Sequence, residues 1–134
     1  MGNIKMVICM RKDLNMRKGK MIAQGCHASM KVILDLMTPI DCGPNHNSKI
    51  LHMIKNSPLD QWINGLFTKI VVSVNSNLEL IKVYTIGVAS GIPCALIEDS
   101  GKTEFHGHPT YTCCAIGPDE EEKIDKITGE LPLL

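Results

Sequence analysis

Short apolar runs alternate with helix-length segments along this chain, and that order admits few folds. Residues 4–10 form an apolar run broken only by Lys5 and read as a strand. A polar loop over 11–17 leads into a long helix from Lys18 or Gly19 to Met37. Residues 69–74 (KIVVSV), rich in β-branched side chains, read as a buried strand. Ser76-Asn77-Leu78-Glu79 is a capping box, and the helix it opens runs to about Ser90, where Gly91 supplies a stop. A third strand follows over 93–97, a polar loop over 98–109 and a fourth strand over 110–116. The last helix covers 119–128, with acids in its first turn where the helix dipole favours them, and Gly129 ends it. Helices between strands imply crossovers and a partly parallel sheet. The loop before the fourth strand allows a hairpin, which would make that strand antiparallel. The expected class is α/β.

The length of 134 residues favours one domain spanning 1–134, and 44% hydrophobic residues support a core. Between the first helix and the second long strand, residues 38–67 form an insertion-like segment broken by Pro39, Gly43, Pro44 and Pro58. Short helices are expected in it over 48–55 and, around Trp62, over 59–66. Aromatic residues make up only 4% of the chain, which argues against binding single strands by base stacking. Net charge is zero but polarised: Lys5, Arg11, Lys12, Arg17, Lys18, Lys20 and Lys31 crowd the beginning, and Asp119, Glu120, Glu121, Glu122, Asp125 and Glu130 the end. A basic edge of this kind can meet phosphate locally. The six cysteines mostly lie in apolar runs and read as reduced core thiols. No signal peptide and no membrane-spanning stretch is visible, so the expected location is cytoplasmic, with no membrane partner. Cys42, His46 and His52, or His106 and His108, offer fragments of a metal site, but no CxxC accompanies them and no metal is expected.

Chemistry is concentrated in residues 17–30, RKGKMIAQGCHASM. Lys20, Gln24, His27 and Lys31 are spaced to share one helix face, opposite an apolar stripe of Ile22, Cys26, Met30, Ile33 and Met37. Lys18 sits beside the first free backbone N–H groups of the helix, and the set suits an anionic ligand. In an open α/β sheet ligands gather at the carboxyl ends of parallel strands, so the loop ending in Arg17, Lys18 and Lys20 is expected to meet the loop that begins at Glu98-Asp99. There Asp99 can orient or deprotonate a water, Lys18 can hold Asp99 ionised and stabilise an oxyanion, and Thr103, Thr110 and Thr112 can position the reactants. Taken singly, Asp99 can equally be a turn residue capping its own loop, and His27 a packed histidine. RKGK lacks the glycines of a phosphate-binding loop, and adjacent Cys26 and His27 point about 100° apart, which discounts a dyad.

These residues resemble the archaeal and eukaryotic type of peptidyl-tRNA hydrolase, often called type 2. The likeness runs through Arg11-Lys12-Asp13-Leu14, Lys18-Gly19-Lys20, Ala23-Gln24 and His27-Ala28. It continues through the stretch from Pro93 to Glu104 (PCALIEDSGKTE), then Thr110-Tyr111-Thr112, Ile116-Gly117-Pro118, and the closing run from Ile124 to Leu131 (IDKITGEL) with Leu133-Leu134. The resemblance implies hydrolysis of the ester between a peptide and the 3′ end of tRNA, without metal or other cofactor. It implies a three-layer α/β/α sandwich with a four-stranded mixed sheet, often as a homodimer. By similarity Lys18, Asp99, Thr103 and Thr112 fall on the catalytic positions. Lys20, Gln24 and His27 adjoin them as substrate-binding residues, with Arg17 and Thr110. Three departures stand out: Glu98 replaces a customary basic residue, Ile22 a small one, and the loop over 104–109 is about one residue long. The rival readings are a non-catalytic RNA- or protein-binding module and a hydrolase of another acyl ester.

Overall fold

The computed structural model describes residues 3–102 and 105–134. Strand β1 (Ile4–Arg11) leads to helix α1 (Lys18–Leu36), followed by two short strands, β2 (Thr38–Ile40) and β3 (Ser48–Ile50), and helix α2 (Pro58–Ile63). Then come β4 (Lys69–Val74), α3 (Asn77–Ala89), β5 (Cys94–Asp99), a 3-10 turn (Phe105–Gly107), β6 (Thr110–Glu120) and α4 (Glu121–Thr128). The main sheet has the order β4-β1-β6-β5. β4 is parallel to β1, while β6 runs antiparallel to both β1 and β5. Three strands therefore share one direction, and the carboxyl ends of β1 and β5 lie at the edge where α1 begins. This is the expected mixed sheet.

Side-chain alternation along β1 builds the layers. Met6, Ile8 and Met10 face one way and pack with Ala28 and Val32 of α1 and Trp62 of α2. Val7 and Cys9 face the other way and pack with Leu80 and Val83 of α3 and Ile124 of α4. The sheet is thus the middle of three α/β/α layers. Gly87 lets α3 sit close on it, since a Cβ there would stand 2.7 Å from the Cys94 sulfur and 2.8 Å from Ile116. The capping box is present: the Ser76 hydroxyl accepts from the Glu79 amide at 3.1 Å, and the Glu79 carboxylate from the Asn75 amide at 2.6 Å. Beyond β4, the tail runs along the outer edge, with the Ser73 amide donating to Pro132 O at 2.9 Å and the Leu134 amide to Val71 O at 3.1 Å.

One expected helix is absent. Residues 48–50 form β3, which pairs antiparallel with β2, and no helix covers 48–55. The Asp41 carboxylate accepts from the Gly43 amide at 2.9 Å and turns the chain into a hairpin, so 48–50 pairs with 38–40 instead of coiling. The second expected helix is α2, capped by Ser57 and stopping at Asn64 before Gly65. β5 reaches Asp99 and β6 reaches Glu120, so both strands outrun the apolar runs that announce them.

Candidate active site

The carboxyl end of β5 meets the first two turns of α1. Asp99, the last residue of β5, accepts from the Lys20 ammonium at 2.7 Å on Oδ1, and the Gln24 amide nitrogen points at the same oxygen from 3.5 Å. Its other oxygen accepts from the Gly101 backbone amide at 2.9 Å. The turn reading of Asp99 holds, since one oxygen caps its own turn, while the other is presented to α1. Gly101 makes that turn possible, with φ of +80° and His108 O so near that a Cβ would lie 2.4 Å from it. The Lys20 ammonium, the Gly101 amide and, to a smaller extent, the charge of His27 hold the Asp99 carboxyl below the usual carboxylate range against the opposing effect of burial. The pair is largely sheltered, with side chains 16% and 11% exposed.

Behind it lies a buried polar link. Gln24, 3% exposed, accepts on its side-chain oxygen from the Thr112 hydroxyl at 2.5 Å, and Thr112 is fully buried. The Cys113 thiol donates to the Gln24 backbone carbonyl at 3.3 Å. A β-bulge explains how Thr112 and Cys113 both reach α1. Ile97 pairs with Cys113 and Glu98 with Tyr111, so Thr112 is the extra residue of β6 and departs from the alternation. Thr110 pairs across the ladder with Asp99, but its hydroxyl donates to His108 O at 2.9 Å. Phe105, in a left-handed conformation (φ +63°), places its ring 5.9 Å from the Lys20 ammonium.

Not every expected residue joins this cluster. The ion pair of Asp99 is with Lys20, not Lys18. Two positions apart at about 100° per residue, the two side chains leave α1 on opposite flanks. Lys18 lines a groove of about 940 Å³ with Met10, Met21, Ile22, Met30 and Val71. The polar stripe is not an exposed face either, since Gln24 is buried beside Ala28 and Val32 while Ile22 is 68% and Met30 60% exposed. His27 and Arg17 are exposed. Thr103 lies outside the described residues. Sequence reading missed Gly101 and Phe105; the D-x-G spacing at Asp99 was the available signal for the first, and nothing announced the second. Burial pushes the Cys94 thiol up to about 11 and that of Cys113 up to about 12, and a hydrogen bond with Cys9, together with burial, holds Cys114 well above the ordinary thiol range. These thiols stay protonated at neutral pH and are poor nucleophiles. Among the described residues no three His, Cys, Asp or Glu side chains come together as a metal site.

A three-layer α/β protein, this chain gathers a carboxylate, an ammonium and a buried amide at the carboxyl edge of its sheet, the place where open α/β sheets collect ligands. The comparisons make this specific. The family model of peptidyl-tRNA hydrolase PTH2 matches residues 4–134, and the chain belongs to that family. It is 42% identical to a peptidyl-tRNA hydrolase of Methanocaldococcus jannaschii, over 98% of this chain and 100% of the relative. It is 38% identical to one of Sulfolobus acidocaldarius, with the same coverage, and 39% to one of Methanococcus maripaludis, over 95% and 96%. A solved structure of a protein of unknown function from Agrobacterium tumefaciens shares the fold, with a TM-score of 0.58 at 12% identity, over 100% of this chain and 99% of that one.

Proposed function

We propose that the protein hydrolyses the ester linking a peptide, or an N-blocked aminoacyl group, to the 3′ end of tRNA, and so releases free tRNA. Family membership over residues 4–134 supports the activity. The single observation that carries its assignment to this site is the fixed carboxylate of Asp99, held by Lys20 at 2.7 Å at the edge where ligands of α/β sheets collect. In this reading Asp99 orients the attacking water. Its lowered pKa keeps it ionised and makes it a weak proton acceptor, so orientation outweighs base catalysis. Lys20 keeps Asp99 charged and directed. Gln24, fixed by Thr112, turns its amide nitrogen toward the carboxylate. Lys18, the first residue of α1, stabilises negative charge on the carbonyl oxygen. Thr103 positions the reactants by its place in the motif.

Substrate docking follows from charge. Lys5 is occupied by Asp125 at 2.7 Å, Arg11 by Asp13 and Lys31 by Asp35. Exposed Lys12 and Arg17 enter none of the ion pairs among the described residues and supply the contacts to tRNA phosphates. Thr110 and His27 complete the binding edge. The reading also takes residues 1–134 as one hydrolase domain with an insert at 38–67, working in the cytoplasm. It includes a homodimer, supported by the exposed Ile22 and Met30, which sedimentation tests. Among the described residues no helix is long and apolar enough to cross a membrane.

The decisive experiment incubates the purified protein with N-acetyl-aminoacyl-tRNA and, separately, with a simple peptidyl ester. The expected outcome is release of free tRNA by the wild type, slowed by about a hundredfold or more in Asp99→Asn. Turnover of the simple ester alone would point to another acyl hydrolase. Tight tRNA binding without turnover would point to a binding module.

A further inference from the structure

The bulge that aims Thr112 at Gln24 has a support of its own. The β1–β6 ladder ends at Met10 with Cys113, one rung short of Thr112. The β5–β6 ladder skips Thr112 altogether. No registered strand pair on either side of β6 therefore fixes the residue whose hydroxyl holds Gln24. The guanidinium of Arg11, the last residue of β1, occupies this place. Its Nη1 donates to the carbonyl of Tyr111, the residue before Thr112, at 3.1 Å. Its other two donors grip Asp13, Nε to Oδ1 at 3.1 Å and Nη2 to Oδ2 at 2.7 Å. The fork is thereby locked in one orientation and the side chain is only 12% exposed.

We propose that Arg11, held by Asp13, is a positioning residue for the hydrolytic site: it stands in for the missing rung and sets the direction of the Thr112 hydroxyl, and through it of Gln24 beside Asp99. This rests on the reading of Asp99 as the site of hydrolysis. The chain of contacts is continuous: Asp13 to Arg11, Arg11 to Tyr111 O, Thr112 to Gln24 and Gln24 toward Asp99. Among the described residues Arg11 bonds to Asp13 and Tyr111 and to no group assigned to the reaction. Lysine cannot replace it, because one ammonium cannot hold both carboxylate oxygens and reach a carbonyl on its far side in a fixed plane.

The test combines kinetics with a probe that needs no turnover. In Arg11→Met the rate at saturating N-acetyl-aminoacyl-tRNA should fall about tenfold while KM and the salt dependence of binding stay within twofold. Arg11→Lys should behave like Arg11→Met. The double variant Arg11→Met with Thr112→Val should be no slower than Thr112→Val alone, as expected when one residue acts through the other. Independently, the side-chain amide resonances of Gln24 should shift in Arg11→Met and not in Lys12→Met. Full recovery in Arg11→Lys, or a loss confined to KM and salt slope, would show Arg11 to be a phosphate contact and overturn the proposal. So would a fall in Tm with the saturated rate and the Gln24 resonances unchanged, which is the mark of a merely structural pair. Should the wild type release no tRNA, the hydrolase reading fails, and the Gln24 resonances still decide whether Arg11 positions the link.

Discussion

The two flanks of α1 use the same helix in opposite ways. On the flank toward β5 and β6, a glutamine is buried and a lysine is half-buried, each tied to a partner on the sheet. On the flank toward β4, Ile22 and Met30 stand exposed above an apolar groove floored by Met10 and Val71. Hydropathy alone would reverse this arrangement. Burying Gln24 is tolerable only because its oxygen and its backbone carbonyl both receive donors from β6. Leaving Ile22 and Met30 in water forgoes burial worth about 1.5–3 kcal/mol for each side chain fully buried. The difference teaches that polar satisfaction, rather than apolar area, decides how α1 is rotated against the sheet at its first turns.

The largest expected effect tests the polar flank directly. Asp99→Asn should lower single-turnover hydrolysis by about a hundredfold or more, with the fold kept and only a modest fall in Tm, because the Lys20 ion pair is lost while the turn at Gly101 keeps an acceptor. Near-normal turnover would leave the polar flank with no catalytic role. Lys18→Ala carries the comparison across the helix. A loss of about 2.7–4 kcal/mol in barrier stabilisation, with an unchanged pH profile, would show that both flanks serve the reaction at the N-terminus of α1. A change confined to binding would restrict chemistry to one flank.

Lys20→Ala should have a smaller effect with a distinctive signature. Asp99 has a depressed pKa, so its charge, and the stability its pairing contributes, persist at neutral pH and are lost only as pH falls through that lowered value. Removing Lys20 raises the Asp99 pKa and should move the acid limb of the rate profile, and of the thermal stability, to higher pH. An unmoved acid limb would contradict the ion pair. Thr112→Val should cost about 1–3 kcal/mol of stability, because the Gln24 oxygen loses its donor in a buried place. Urea denaturation reads this. The smallest effect belongs to the apolar flank: Ile22→Ser should change stability by no more than about 0.5 kcal/mol and leave turnover intact. A larger loss in urea, dependent on protein concentration, would mean that a second copy covers this flank.

Most of the architecture was legible because periodicity and caps record local decisions. β4 coincides with its β-branched run, and Ser76 caps α3 as its sequence promises. The ends of β5 and β6 were not legible, because Glu98, Asp99 and Asp119 join strands through pairing with partners distant in sequence. The 48–50 strand failed for the same reason: its partner Thr38–Ile40 contains a proline and carries no strand signal. At the site, the stripe of Lys20, Gln24 and His27 was legible as a shared face. The burial of Gln24 was not, since that depends on a bulge at Thr112 that no local rule announces. Choosing Lys18 over Lys20 as the partner of Asp99 was an error of azimuth, settled by where β5 lies relative to the helix axis.

The tail that runs along β4 decides how this sheet meets other proteins. Backbone groups of Val71 and Ser73 that would otherwise face outward are already engaged by Leu134 and Pro132. The far half of that edge is thus partly covered, which makes β5, the outer strand at the opposite margin, the more open place for intermolecular sheet extension. Loosening the tail would open a second sticky margin beside the groove of Val71 and Leu134, where apolar side chains already reach solvent. Residues 132–134, irregular as they are, thus shorten the open margin of the sheet on this side.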